Sequence, residues 1–131
     1  MLRVKIKKNR LSLHEEIEYL RNALQPLRRW GLAAKALEET DEDAYIELVL
    51  KFKKVFSALK RNSGLNFVYG TTTYLRGVRG MGGLKYAIKG AWKGRSLAWS
   101  SVITDDMDFY ILDLEIFVEQ LNERARNRVR T

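Results

Sequence analysis

Apolar residues at helical spacing dominate the first half of the chain. Ser12 and Glu15 match a capping box, in which each side chain satisfies the other's backbone amide, and predict a helix from about Leu13 to Leu24. Pro26 is expected to end this helix, because proline lacks the amide hydrogen that continues the hydrogen-bond ladder. The next apolar stripe predicts a second helix from about Leu27 to Glu39.

The clearest helical pattern runs from about Glu42 to Arg61. Acidic residues precede this stripe and lysines gather at its end, which is the order that the helix dipole favours. Gly64 then provides a stop, because glycine readily adopts the left-handed conformation that ends helices. We therefore predict a third helix here. Its apolar stripe consists of Tyr45, Leu48, Val49, Phe52, Val55, Phe56 and Leu59.

The pattern changes after residue 64. Most of the nine glycines lie in this part of the chain, among β-branched and aromatic residues. We therefore predict short antiparallel strands joined by glycine turns, at about Asn66 to Leu75, Leu84 to Lys89 and Leu97 to Thr104. In the second of these strands, Tyr86 would face the core.

Helical spacing returns at Asp105 and predicts a long C-terminal helix. A competing interpretation takes the alternation over 112–116 as a strand. At the other end of the chain, apolar and basic residues alternate over 2–7, which indicates either a half-buried strand or a disordered basic arm. Together these elements predict one α+β domain over 1–131 with flexible basic ends at 1–10 and 124–131. It has a helix-rich N-terminal half, a glycine- and aromatic-rich antiparallel β segment and a long C-terminal helix.

Charge is unevenly distributed along the chain. The 131 residues include 24 Lys and Arg against 16 Asp and Glu, a formal charge of +8. No acidic residue lies between Glu47 and Asp105, whereas 105–123 contains acids and no base. Because interspersed signs favour solubility, this segregation indicates a polyanionic partner.

The inventory of reactive side chains is small. The chain has no cysteine, and its one histidine, His14, lies within the capping box. Asp105, Asp106 and Asp108 could hold magnesium, as in a carboxylate-dependent nuclease, but they equally suit a helix start. We therefore expect no enzyme activity, no cofactor and no metal, and keep the nuclease as a remote alternative.

A glycine-rich stretch from Arg76 to Lys85 resembles a phosphate-binding loop but lacks the spacing of the known nucleotide motifs. This stretch predicts either a hairpin loop or a loop that follows a nucleic-acid backbone. In the second case, Arg76 and Arg79 would contact the phosphates. Trp92 lies in a turn-like segment flanked by bases, where an exposed ring could stack on a nucleobase or lodge at a protein interface.

These observations predict a non-enzymatic protein that binds nucleic acid, with duplex DNA as the expected ligand and little sequence preference. The alternative is a homo-oligomer in which basic and acidic faces pair between copies. No apolar run suggests a membrane span, and the absence of a signal-like segment leads us to expect an intracellular or virion location. The predicted contact residues are Lys51, Lys54, Arg76, Arg79, Lys85, Lys89, Trp92, Lys93, Arg95, Arg126, Arg128 and Arg130.

In its size, its lack of cysteine and its Lys-, Arg- and Glu-rich composition, the chain resembles the small orphan proteins of hyperthermophilic archaeal viruses. It is similar to an uncharacterised protein of the spherical viruses that infect Pyrobaculum. The resemblance implies a double-stranded DNA genome to be packaged or regulated, and a virion nucleoprotein as one role. It carries over no functional residues.

Overall fold

The computed structural model describes residues 11–38, 40–65, 68–70, 75, 80–93 and 98–130, some of them at the helix ends by backbone alone. These residues form four helices: α1 (Leu13–Leu37), α2 (Glu42–Asn62), α3 (Gly80–Lys93) and α4 (Ala98–Arg130). No strand occurs among them, so the predicted α+β fold is wrong and the described fold is all-α.

Two of the predicted strands are helical. Residues 84–89 lie within α3, and residues 98–104 form the first two turns of α4. Leu84 and Ile88 are four residues apart, a spacing that suits one face of a helix as well as one face of a strand, and both are fully buried. Tyr86, predicted to share their face, is instead 82% exposed. Burial against α2 therefore outweighs the low helix propensity of the glycines in α3.

The first predicted strand, at 66–75, lies mostly outside the described residues, and its described residues, 68–70 and 75, are not strand. The predicted C-terminal helix is confirmed, although it begins at Ala98 rather than at Asp105. The strand alternative over 112–116 is wrong, because these residues belong to α4.

One helix replaces the two that were predicted on either side of Pro26. The capping box at its start is confirmed: the amide of Glu15 donates to Oγ of Ser12 over 3.1 Å, and the amide of Ser12 donates to Oε1 of Glu15 over 3.0 Å. α1 then continues through Pro26 to Leu37. Leu24 and Leu27 are buried on the two sides of the proline, so a continuous helix keeps one uninterrupted core face.

α1 lies between α2 and α4 and runs antiparallel to both. Arg28 forms an ion pair with Glu115, and Lys35 forms one with Asp108. The partner residue number falls by seven where the α1 residue number rises by seven, so the two helices are antiparallel. At the far end of the α1–α2 pair, Nδ2 of Asn62 donates to the hydroxyl of Tyr19 over 3.2 Å. α3 packs against α2.

Aromatic rings join α2 to α4 in the centre of the core. The ring of Phe56 stacks on that of Tyr110, with centroids 4.4 Å apart and an angle of 14° between the planes. Phe52 contacts both rings at larger angles. None of the described helices is long and apolar enough to cross a membrane.

Candidate nucleic-acid interface

α3 is anchored by one face and exposes the other. Leu84 and Ile88 are fully buried, and the half-buried Trp92 packs against Tyr45 at the start of α2, with ring centroids 5.7 Å apart. Burial raises the pKa of the Tyr45 phenol, and the nearby charge of Glu38 acts in the same direction. Tyr45 therefore stays neutral in the core and serves as packing surface for α3.

The opposite face of α3 combines cationic, aromatic and glycine positions. Lys85, Tyr86 and Lys89 are exposed there, each within one helical turn of the next. Gly82 and Gly90 lie on the same side, and a Cβ atom placed on either would meet no atom within 4 Å. We call this surface the basic face of α3. It is flat beside its lysines and its tyrosine, because the two glycines have no side chains.

No acidic residue occurs in α3 itself. The nearest described acids belong to the start of α2: Nζ of Lys89 lies 3.7 Å from Oδ1 of Asp43 and 4.0 Å from Oε1 of Glu42. Asp43 is 90% exposed in its side chain, so this pairing is solvated and weak. Lys89 therefore remains able to turn towards an external anion.

The lysines of α2 differ from one another in their environment. Lys51 is exposed and lies 3.1 Å from Glu47 one turn earlier, and Lys54 is exposed. Lys53, between them in sequence, is only 7% exposed, and burial lowers the pKa of its ammonium. Of the two predicted contact residues in α2 and the lysine between them, Lys51 and Lys54 are thus placed where a ligand can reach them, and Lys53 is not.

The C-terminal arginines lie away from the basic face of α3. α4 runs antiparallel to α1, so its last turns extend past the start of α1, where α2 ends, whereas Lys89 lies near the start of α2. Arg126 lies 3.3 Å from Glu119 and 3.7 Å from Glu123. Arg128 is exposed, and Arg130 is described by its backbone alone. The predicted contact residues therefore fall into at least two separate areas.

Some of the predicted contact residues are not described in full. Arg76, Arg79 and Arg95 lie outside the described residues, and Lys93 is described by its backbone alone, one turn beyond Lys89 in α3. The described side chains include about as many acids as bases, so most of the net charge of +8 belongs to 1–10, 76–79 and 93–95.

Three local predictions are wrong. Trp92 lies in a helix and not in a turn, and it is half-buried against Tyr45. Residues 80–85 of the glycine-rich stretch are the first turns of α3 and not a hairpin loop. Tyr86, which sequence reasoning assigned to the core, is the aromatic residue on the basic face. Lys85, Tyr86 and Lys89 share one face only in a helix, so the prediction of a strand did not group them.

The acidic cluster of α4 does not converge on one point. Asp105 is exposed, Asp106 is buried, and Nζ of Lys35 donates to Oδ2 of Asp108 over 2.9 Å. The hydrogen bond and charge of Asp108 raise the pKa of Lys35. The described residues contain no group of three potential metal ligands. No family model, curated protein or solved structure matches the chain.

Proposed function

We propose that this protein binds nucleic acid through the basic face of α3, as a non-enzymatic protein that recognises duplex DNA with little sequence preference. One observation carries the proposal: an acid-free helix buries Leu84 and Ile88 and presents Lys85, Tyr86 and Lys89 to solvent. Ammonium groups bind phosphates as point charges whatever the base sequence. The phenol of Tyr86 adds a hydrogen-bond donor and a stacking surface.

The glycines strengthen this proposal. A phosphodiester backbone approaches a helix most closely where side chains are missing, and Gly82 and Gly90 provide such places beside the lysines. α3 has 14 residues and is therefore about 21 Å long, enough to meet phosphates several base pairs apart. Lys54 of the neighbouring α2 is exposed and is a further candidate contact.

Fluorescence anisotropy with a labelled duplex at several salt concentrations tests the proposal. Replacing both lysines, Lys85→Gln with Lys89→Gln, should weaken binding about tenfold and reduce the slope of log affinity against log salt by about 2. The matched control, Arg21→Gln with Arg29→Gln, removes the same charge from exposed positions on α1. Equal losses in the two variants would show that net charge, and not α3, determines the binding.

Two unrelated duplex sequences distinguish phosphate contacts from base readout. The lysine variant should lose affinity equally for both, whereas a loss confined to one sequence would contradict sequence-independent binding.

As part of this proposal, the archaeal-virus resemblance suggests a nucleoprotein of the virion or of the host cytoplasm. Light scattering without DNA tests the alternative function, because salt-sensitive oligomers that retain no DNA would favour an assembly protein.

A further inference from the structure

The outer seam between α1 and α4 carries one exposed leucine from each helix. Two ion pairs between the helices border this seam: Arg28 with Glu115, and Lys35 with Asp108. Leu32 follows the first base of α1 by four residues, and Leu112 follows the first acid of α4 by four residues. Residues four apart lie on one side of a helix, so the two leucines lie in the seam, at the same level and between the ion pairs.

The apolar centre of this seam is open to solvent. Leu32 is 74% exposed, and Leu112, Phe109 and Ile116 are between 38% and 46% exposed. Leu112 lies on nearly the opposite side of α4 from Tyr110, which contacts α2, because two residues turn a helix by about 200°. We call the seam with these four exposed apolar residues the α1–α4 face. Apolar residues rimmed by ion pairs are typical of a protein interface.

The two helices of this face carry opposite charges. α1 has four bases, all exposed, and no acid over 19–37. α4 has seven acids and no base over 105–123, and five of these acids are exposed or half-exposed. The antiparallel register places the two stretches side by side. The face is therefore basic along one helix and acidic along the other.

We propose that two copies of this chain form a dimer through the α1–α4 face, with α1 of each copy packed antiparallel against α4 of the other. A two-fold axis parallel to the helices produces this arrangement, because rotation about it exchanges the two sides of the face without reversing the helices. The basic helix of each copy then meets the acidic helix of the other copy. Leu32 and Leu112 of both copies form one apolar layer around the axis, as in the core of a four-helix bundle.

The other two-fold arrangement of the same face fits less well. An axis perpendicular to the helices places α1 against α1 and α4 against α4. Bases then meet bases and acids meet acids, which is unfavourable because like charges repel one another across an interface. Charge complementarity therefore selects the axis that is parallel to the helices.

The size of the face also suits a dimer. α1 has 25 residues and is about 37 Å long. Two adjacent helices, each about 10 Å wide, give a face of about 740 Å². A stable interface of standard size buries about 800 Å² on each partner.

Light scattering without nucleic acid tests the dimer, so its outcome is separate from that of the DNA-binding measurement, which depends on α3. Leu32→Glu places a carboxylate at the centre of the interface and should raise the dissociation constant of the dimer by at least about tenfold. The helix content should stay unchanged, because Leu32 is exposed in the single chain. Tyr86→Glu makes the same kind of change at the most exposed large apolar residue of α3 and should leave the dissociation constant unchanged. Equal effects of the two variants, or a wild-type chain that stays monomeric at about 0.1 mM, would overturn the proposal.

Spin labels determine how the two copies are oriented. The chain has no cysteine, so His14→Cys, at an exposed position in the first turn of α1, takes one label per chain. An axis parallel to the helices keeps both labels at the same end of the dimer, and we expect a distance below about 30 Å between them. An axis perpendicular to the helices at Leu32 would separate the labels by about 54 Å. A distance of that size would overturn the proposed arrangement.

Discussion

Gly70 packs directly against the ring of Tyr110: a Cβ atom at Gly70 would lie 2.5 Å from Cδ1 of that ring. Tyr110 is buried and stacked on Phe56, so the ring has little room to retreat. Gly70→Ala should therefore lower the free energy of unfolding by about 1 to 3 kcal/mol through overpacking. Urea denaturation followed by circular dichroism measures the loss.

Gly82→Ala is the matched control for this prediction. Nothing lies within 4 Å of a Cβ at Gly82, which is part of α3, so the same methyl group should stabilise the protein by up to about 1 kcal/mol. Opposite signs for the two variants are expected. A neutral Gly70→Ala would show that the loop does not press against Tyr110.

Asp113 holds the loop after α2 onto α4. Its side chain is buried and accepts the amides of Tyr69 and Gly70 at 3.0 to 3.1 Å. Asp113→Ala leaves two amide donors unsatisfied and should cost about 2 to 4 kcal/mol in the free energy of unfolding. Asp108→Ala, which removes an exposed ion pair with Lys35, should cost less than about 1 kcal/mol. Equal costs would contradict the anchoring role of Asp113.

Pro26 interrupts the hydrogen bonding of α1, because it has no amide hydrogen to donate to the carbonyl of Asn22. Pro26→Ala restores this donor within a continuous helix and should raise the free energy of unfolding by about 1 to 3 kcal/mol. Gln25→Ala at the exposed neighbouring position should change it by less than about 0.5 kcal/mol. A loss of stability on removal of the proline would show that α1 needs the local distortion that proline imposes.

Lys53 is buried in α2, and burial holds its pKa below the ordinary value of 10.5. Lys53→Met removes a group whose charged form is less favourable in the folded chain than in the unfolded chain, and should stabilise the protein at neutral pH. A lysine with a lowered pKa in the folded state binds protons more weakly there than in the unfolded chain. The wild-type protein therefore gains stability as the pH rises towards 10.5, and the advantage of the variant shrinks over the same range.

Denaturation of both proteins between pH 7 and pH 10.5 tests this sign. Lys54→Met, at the exposed next position, is the control, and it should show neither the stabilisation nor the pH dependence. An advantage of Lys53→Met that does not change with pH would mean that packing, and not charge, is responsible.

The sequence by itself determined the elements whose signals are local. Ser12 and Glu15 start α1 through a capping box, and the seven-residue stripe of α2 satisfies only a helical period. The apolar residues of α4 from Asp105 onward recur at helical spacing over many turns and predict a helix, although the alternation over 112–116 left a strand open until the structure excluded it. Long periodicity of this kind depends only on neighbouring positions, so it can be read without knowing the partner helices.

Only the tertiary structure decided the elements whose local signals are short or contradictory. The segment containing Leu84 and Ile88 fits either period, and its burial against α2 selects a helix that turns Tyr86 outward. Pro26 removes one hydrogen bond from α1, but a continuous helix keeps a single apolar face against α2 and α4, and the burial of that face outweighs the lost hydrogen bond. The burial of Lys53 and the separation of Lys89 from Arg126 arise in the same way, since packing between distant parts of the chain determines which side chains meet.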